Sequence, residues 1–325
     1  MVKSRRTETH FTRWALAGCL MLVLAAPRGA DAQSRFSGIV VFGTSLSDPG
    51  NAFALRGEAL TPPDYALDPL LVPSAPYARG GHHFSNGATW IEQYAASVGL
   101  GASVRPAFKK SSADVTNYAV GGARSYQDNI NINLSQQVAA YLQGAGGVAD
   151  PQALYVIEMG GNDIRNALAV AGIGGNPALI LGAAINAIVG NIYALHRAGA
   201  REFLVWSAPN VALTPAIRSL GPAAIGGATQ LTQGFNAGLT EGLRMVQPLP
   251  GIKIMRLDAY ELLRAIVDNP SVFGLTTVAT ACVTARADAP PFACSNVDEF
   301  LFWDGIHPTR AGHAILAEEA ARVLR

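Results

Sequence analysis

The chain has 325 residues, half of them hydrophobic, which is enough to bury a sizeable core as one large domain or two. Lys and Arg number 24 against 23 Asp and Glu, a formal charge of +1, with no basic stripe. That balance leaves no electrostatic footprint for nucleic acid or an anionic surface, so neither is expected as a partner.

At the amino terminus Lys3, Arg5, Arg6 and Arg13 precede an apolar run over residues 14–27, and the small residues Ala30 and Ala32 flank Asp31. The pattern predicts a signal peptide over residues 1–32, cut near Ala32, and a secreted or periplasmic product. The run is too short, and too closely followed by a cleavage-like site, for a permanent span, so the mature chain is expected to carry no transmembrane segment. Leu16-Ala17-Gly18-Cys19 resembles a lipoprotein box, but such a box normally ends the apolar region, and here the region continues to Ala26; anchoring at Cys19 ranks below plain cleavage. A twin-arginine reading of Ser4-Arg5-Arg6 ranks lower still, since no apolar residue follows promptly. Five basic and two acidic side chains leave with residues 1–32, which turns the formal charge to −2. Cys282 and Cys294 are then the remaining cysteines. In an oxidising compartment they are expected to pair, with two buried thiols as the alternative.

Ile39, Val40, Val41 and Phe42, closed by Gly43, read as a buried strand of a parallel sheet that ends in a loop. Ser45 then lies just past the strand's carboxyl end, where open α/β sheets form their ligand crevices. Residues 56–81 hold five prolines and no periodicity, so a loop is expected; its Leu67, Leu70, Leu71, Val72 and Tyr77 could line an acyl or aryl pocket or simply pack on the domain. Trp90, Ile91, Tyr94, Ala95 and Val98 have helical spacing. The adjacent His82 and His83 point apart and no carboxylate cluster follows, so no metal is expected. Residues 117–123 end in a Gly-Gly turn. Leu134, Val138, Tyr141 and Leu142 mark a helix ending at Gly144, and residues 154–159 form a second buried strand ahead of Gly160-Gly161-Asn162-Asp163.

A long helix over residues 177–198 is interrupted by Asn186 and Asn191, which favours a core helix over a membrane span. The strand 203–206 follows, with Ser207-Ala208-Pro209-Asn210 departing at its end, where further substrate-lining residues could lie. Next come a helix over 229–246, a strand over 252–257 and a helix over 260–267. The glycine-rich stretches 144–147, 172–175 and 221–227 read as connections. Residues 300–303 deliver the chain to Asp304-Gly305-Ile306-His307-Pro308-Thr309, and Ile315, Leu316, Ala320, Val323 and Leu324 mark the last helix. The alternation of strand and helix predicts an α/β fold, a single three-layer α/β/α domain over residues 33–325 with a central parallel sheet.

A serine hydroxyl attacks only when a base takes its proton, and that base needs a third group to hold its ring. Of six histidines, His307 alone has a carboxylate, Asp304, at D-x-x-H spacing. His313 reads as packed or at the surface, His10 falls in the signal, and His196 could interact with the terminal carbonyls of its helix.

FGTSLSDPGN, the stretch from Phe42 to Asn51, resembles the first block of the GDSL esterases and lipases, or SGNH hydrolases, commonly FGDSLSDxGN. Thr44 replaces the usual Asp, while Ser45, Leu46, Ser47, Asp48, Gly50 and Asn51 are kept. HFSNGATWIE from His83 is similar to the family's RFSNGxxWxE, and NYAVGGA, GGND and DGIHPT follow in the family's order across nearly the whole mature chain. The resemblance implies the SGNH-hydrolase, flavodoxin-like form of the fold, with Ser45 as nucleophile, His307 as base and Asp304 orienting it. It implies an oxyanion hole of the Ser45 and Gly122 backbone N–H groups and the Asn162 amide. No metal or organic cofactor is required.

The expected activity is carboxylic-ester hydrolysis through an acyl-serine by an exported monomer, on lipid or aryl esters, with acetylated sugars open. The alternatives are an acyltransferase using the same acyl-enzyme and a secreted binding protein that has lost catalysis. Thr44 bears on tuning more than on activity, and the absence of G-x-S-x-G counts against the separate α/β-hydrolase fold.

Overall fold

The computed structural model describes residues 35–55, 83–109, 114–284 and 292–325. The expected signal peptide, Cys19, His82 and the proline-rich stretch 56–81 with its apolar residues lie outside the described residues. In chain order the elements are β1 (Ile39–Gly43), α1 (Asn51–Leu55), α2 (Trp90–Ser97), α3 (Leu134–Gly144), β2 (Leu154–Glu158), α4 (Gly161–Gly172), α5 (Pro177–Ala198) and β3 (Glu202–Trp206). They continue with α6 (Pro215–Ser219), α7 (Pro222–Val246), β4 (Lys253–Leu257), α8 (Ala259–Asp268), β5 (Thr277–Ala281), β6 (Val283–Thr284), β7 (Phe292–Ala293), β8 (Phe300–Phe302) and α9 (Arg310–Val323).

Side chains alternate across a strand, so a strand with helices on both faces must be apolar at every position that is covered. β1, wholly buried, obeys this. The central sheet is parallel in the order β1-β2-β3-β4, with Val41 opposite Val156, Val156 opposite Leu204 and Leu204 opposite Met255. Ile39, Val41, Leu154, Val156, Leu204 and Trp206 share one hydrophobic layer with Trp90, Ile91 and Tyr94 of α2 and Ala317 and Ala320 of α9. Val40, Phe42, Tyr155, Ile157, Phe203 and Val205 face the other way, onto Leu134 and Val138 of α3, Ala184 and Ile188 of α5 and Phe235 and Leu239 of α7. This is the expected α/β/α sandwich. A further extended segment runs beside β1: Val41 N–H donates to Thr116, and the amides of Tyr118 and Val120 donate to Val41 and Gly43.

α5 is long and apolar enough to cross a membrane by length and composition. Its inner face is packed against the sheet, and Asn191 lies on that face with its amide donating to Ser135 Oγ and to the Ala187 carbonyl.

α7 departs from expectation. The stretch 221–227 does not connect elements; the helix begins at Pro222, whose fixed φ suits the first helical position, and runs through Gly226 and Gly227. Interior glycines cost about 1 kcal/mol each relative to alanine. Further along the same helix, glycine is what allows close packing: a Cβ at Gly242 would lie 2.8 Å from Val189 Cγ2 and 3.1 Å from Ile185 Cγ2 of α5. Cys282 and Cys294 form the expected disulfide. It anchors the approach to residue 304, because the Cys282 and Val283 amides donate to the carbonyls of Phe302 and Trp303.

Candidate active site

The carboxyl end of β1 carries the first component. Its strand closes at Gly43, whose N–H and C=O are both held by the Gln137 side chain of α3, and the chain turns to present Ser45. The third component arrives from β8. Asp304 Oδ1 accepts from the backbone N–H groups of Ile306 and His307, at 2.8 and 2.7 Å, a local turn that fixes the carboxylate before any side-chain partner is counted. The Trp303 amide closes the same turn on the His307 carbonyl at 2.7 Å. Asp304 Oδ2 then lies 2.6 Å from His307 Nδ1, and His307 Nε2 lies 2.8 Å from Ser45 Oγ. All three side chains are buried, and Ser45 retains 8% exposure at a cavity.

The HFSNG segment supports this turn. Ser85 Oγ donates to the Pro308 carbonyl, Asn86 Oδ1 accepts from the Arg310 amide, and the Phe84 ring lies 5.2 Å from the His307 ring. His83 bonds Glu92, which in turn accepts from Thr89 at the start of α2. His313 is packed rather than at the surface: its Nδ1 accepts from the Trp90 amide, and burial pushes it down to about 3, so it is neutral. His196 bonds the Pro250 carbonyl across to the β4 approach rather than its own helix end.

The expected oxyanion donors stand on the Ser45 turn, the Gly122 turn and the first turn of α4. Gly122 has φ +86°, a left-handed conformation that favours glycine. Asp48 joins this loop to the Ser45 turn: its carboxylate accepts from the amides of Gly50, Asn51, Ala52 and Gly121. Burial nevertheless raises Asp48 to about 6 against those four bonds. Asn162 stands in the first turn of α4; one amide hydrogen goes to the Ala123 carbonyl at 2.9 Å, and Oδ1 accepts from Arg165 at 3.2 Å. Asp163 turns away and holds Ser125 by its amide and hydroxyl.

Sequence reasoning missed two residues here. Arg165, one helical turn after Asn162, lines the cavity with Ser45 and His307. Glu158 ends β2, opposite Gly43 in the register. Its carboxylate accepts from the Thr44 amide, the Thr44 hydroxyl and the Ser47 hydroxyl, each at 3.0 Å. Ser47 in turn accepts from the Trp90 indole at 2.9 Å. Burial raises Glu158 to about 7, opposed by the Thr44 and Ser47 bonds and assisted by the nearby Asp163 carboxylate. The signal was available: a lone carboxylate inside an apolar strand must find partners.

The cavity beside Ser45 measures about 60 Å³ and is bordered by Leu46, Asn162, Arg165, Pro209, Val211 and His307. A larger cleft of about 550 Å³ opens at the other end of β1, by Ser37, Ser103 and Asp150, away from the Ser45 and His307 pair.

Residues 39–320 match the family of GDSL-like lipases and acylhydrolases. The chain belongs to that family. Esterase EstA of Pseudomonas aeruginosa is 31% identical over 93% of this chain and 49% of its own length. A phosphatidylcholine-sterol acyltransferase of Aeromonas hydrophila is 26% identical over 93% of this chain and 95% of its own. A GDSL esterase/lipase of Arabidopsis thaliana is 26% identical over 92% and 94%. The chain therefore spans about half the length of EstA and nearly all of the other two. Against the family's usual Asp, Thr44 is intelligible: it donates to a buried carboxylate that a second carboxylate would oppose.

Proposed function

We propose that this GDSL family member is an exported carboxylic-ester hydrolase working through an acyl-Ser45 intermediate. The observation that carries the proposal is the unbroken line from Ser45 Oγ through His307, 2.8 Å, to Asp304, 2.6 Å. In the first half-reaction Ser45 Oγ attacks the ester carbonyl carbon while His307 Nε2 takes the hydroxyl proton. Asp304 accepts from Nδ1–H, holding the tautomer that leaves Nε2 able to accept, and stabilises the imidazolium that forms. The carbonyl oxygen, now negative, meets the Ser45 and Gly122 amides and the second Nδ2 hydrogen of Asn162. Arg165 on Oδ1 polarises that amide and fixes which end faces the cavity. Collapse breaks the bond to the alcohol oxygen, which receives the proton from His307. Water then attacks the acyl-serine with His307 again as base, and collapse breaks the Ser45 Oγ–acyl bond, releasing the acid while the proton on His307 returns to Ser45 Oγ.

Export rests on the basic and apolar amino terminus and on the Cys282–Cys294 bridge, which suits an oxidising compartment. Ser45→Ala should abolish turnover of p-nitrophenyl esters with the fold retained; wild-type turnover in that variant would remove Ser45 from the mechanism. Acyl transfer is a second reading, favoured by the acyltransferase relative that aligns over nearly its full length. Adding an alcohol acceptor and measuring transferred acyl product separates the two. The reading as a binding protein depended on Thr44 misplacing Ser45, and Ser45 stands within hydrogen-bond reach of its base.

A further inference from the structure

We infer that an apolar slot beside the Ser45 cavity seats the acyl chain of the substrate, and that it fits a short unbranched alkyl chain. The inference rests on the acyl-serine reading above. The slot and the Ser45 cavity share Leu46, Pro209, Thr214 and Ile306 as a common wall. Two of these adjoin the reacting groups in sequence: Leu46 follows Ser45 and Ile306 precedes His307. Beyond that wall the slot runs between Leu263 of α8 and Leu316 of α9, over Leu301 of β8. The Thr214 hydroxyl, the polar side-chain group in this lining besides an indole, is turned to the Val211 carbonyl at 2.7 Å.

Chemistry selects the occupant. Of the two halves of an ester, the alcohol must leave after the first step, whereas the acyl group stays bonded to Ser45 until water arrives. A slot that adjoins the Ser45 cavity and borders the buried cluster of Ile266, Leu301, Phe302 and Ile315 suits the half that stays. Charged acyl groups would lose their hydration there, and the slot's lining offers them in return the Trp206 indole N–H, which is buried and without a partner among the described residues. The slot offers about 60 Å³, and since an apolar cavity of ~150 Å³ takes a six-carbon ring, it takes on the order of two or three methylenes. With the carbonyl carbon held in the first cavity, acyl chains of about four carbons fill it and much longer ones overrun it.

The test compares kcat/KM for p-nitrophenyl acetate, butyrate, hexanoate, octanoate and laurate, and separately for acetates of ethanol, hexanol and dodecanol. Wild type should peak near butyrate in the first series and show little dependence on length in the second. Leu263→Trp, which narrows the slot, should lower the butyrate-to-acetate ratio at least tenfold, and Leu316→Ala should move the peak to longer chains. Ratios measured on one preparation are insensitive to the folded fraction, and thermal melts report folding independently. If Leu263→Trp leaves the ratio unchanged, or if the alcohol series carries the length dependence, the slot does not seat the acyl chain. A wild-type chain without Ser45-dependent turnover of acetate would overturn the hydrolase reading and this inference with it.

Discussion

Restoring the family's usual residue at position 44 should damage this protein. In Thr44→Asp a carboxylate replaces a hydroxyl that lies 3.0 Å from both Glu158 oxygens, at a site where Thr44 is 4% and Glu158 3% exposed. Two carboxylate charges about 4 Å apart repel by roughly 4 kcal/mol at an effective dielectric constant of 20. The pair avoids this by sharing one proton, as carboxylate dyads do. Its folded apparent pKa is therefore raised above the unfolded values, so stability is present at low pH and lost as pH rises through the folded value. Glu158 is already raised to about 7 in the wild type, so the added penalty should be about 1 kcal/mol at pH 5.5 and about 4 kcal/mol at pH 8.5. Urea unfolding at the two pH values measures it, and Thr44→Asp/Glu158→Gln should recover most of the alkaline loss because the Gln amide can donate to Asp. A Thr44→Asp protein as stable as wild type at pH 8.5, or a double variant no better than the single, would refute the pairing.

Asn162→Ala should lower kcat by about 10²–10³ with little change in KM, since the lost donor acts on charge that develops in the transition state; steady-state kinetics on a p-nitrophenyl ester checks it. Asp304→Asn should cost kcat about 10³–10⁴ while leaving the thermal midpoint nearly unchanged, because its single oxygen, Oδ1, still accepts the Ile306 and His307 amides but the ring tautomer is lost. Replacing Cys282 and Cys294 with serine should reduce stability by about 3 kcal/mol in the loop-entropy model for so short a loop, measured by urea unfolding under non-reducing conditions. His313, ordinarily 6.5, is depressed to about 3 in the fold. It therefore loses stability as pH falls from 6.5 toward 3, and His313→Gln, which keeps an acceptor for the Trp90 amide, should flatten that acidic limb in melts between pH 7 and 4.

The sheet was legible because it is covered on both faces. β1 and β2 are apolar along their lengths apart from Glu158, and no other reading suits so short a run flanked by glycine. The Asp304–His307 pairing was legible for a different reason: the two residues sit on one local turn, so their contact is a short-range fact. α7 was misread at its start because Gly226 and Gly227 resemble a connection, and nothing local reveals the close approach of α5 that rewards glycine later in the same helix. Glu158 was invisible as a partner of Thr44 because they lie 114 residues apart and meet only through the parallel register of β1 and β2. The slot between α8, β8 and α9 belongs to the same class, since a cavity is a property of distant elements and no single stretch of chain encodes it. The apolar residues 67–72, expected to help line an acyl pocket, lie outside the described residues.

The most direct test of the proton line is covalent capture. A fluorophosphonate probe, followed by peptide mass spectrometry, should modify Ser45 stoichiometrically in the folded wild-type chain and at least a hundredfold more slowly in His307→Ala. Modification of another residue, or labelling of Ser45 at the same rate without His307, would contradict it.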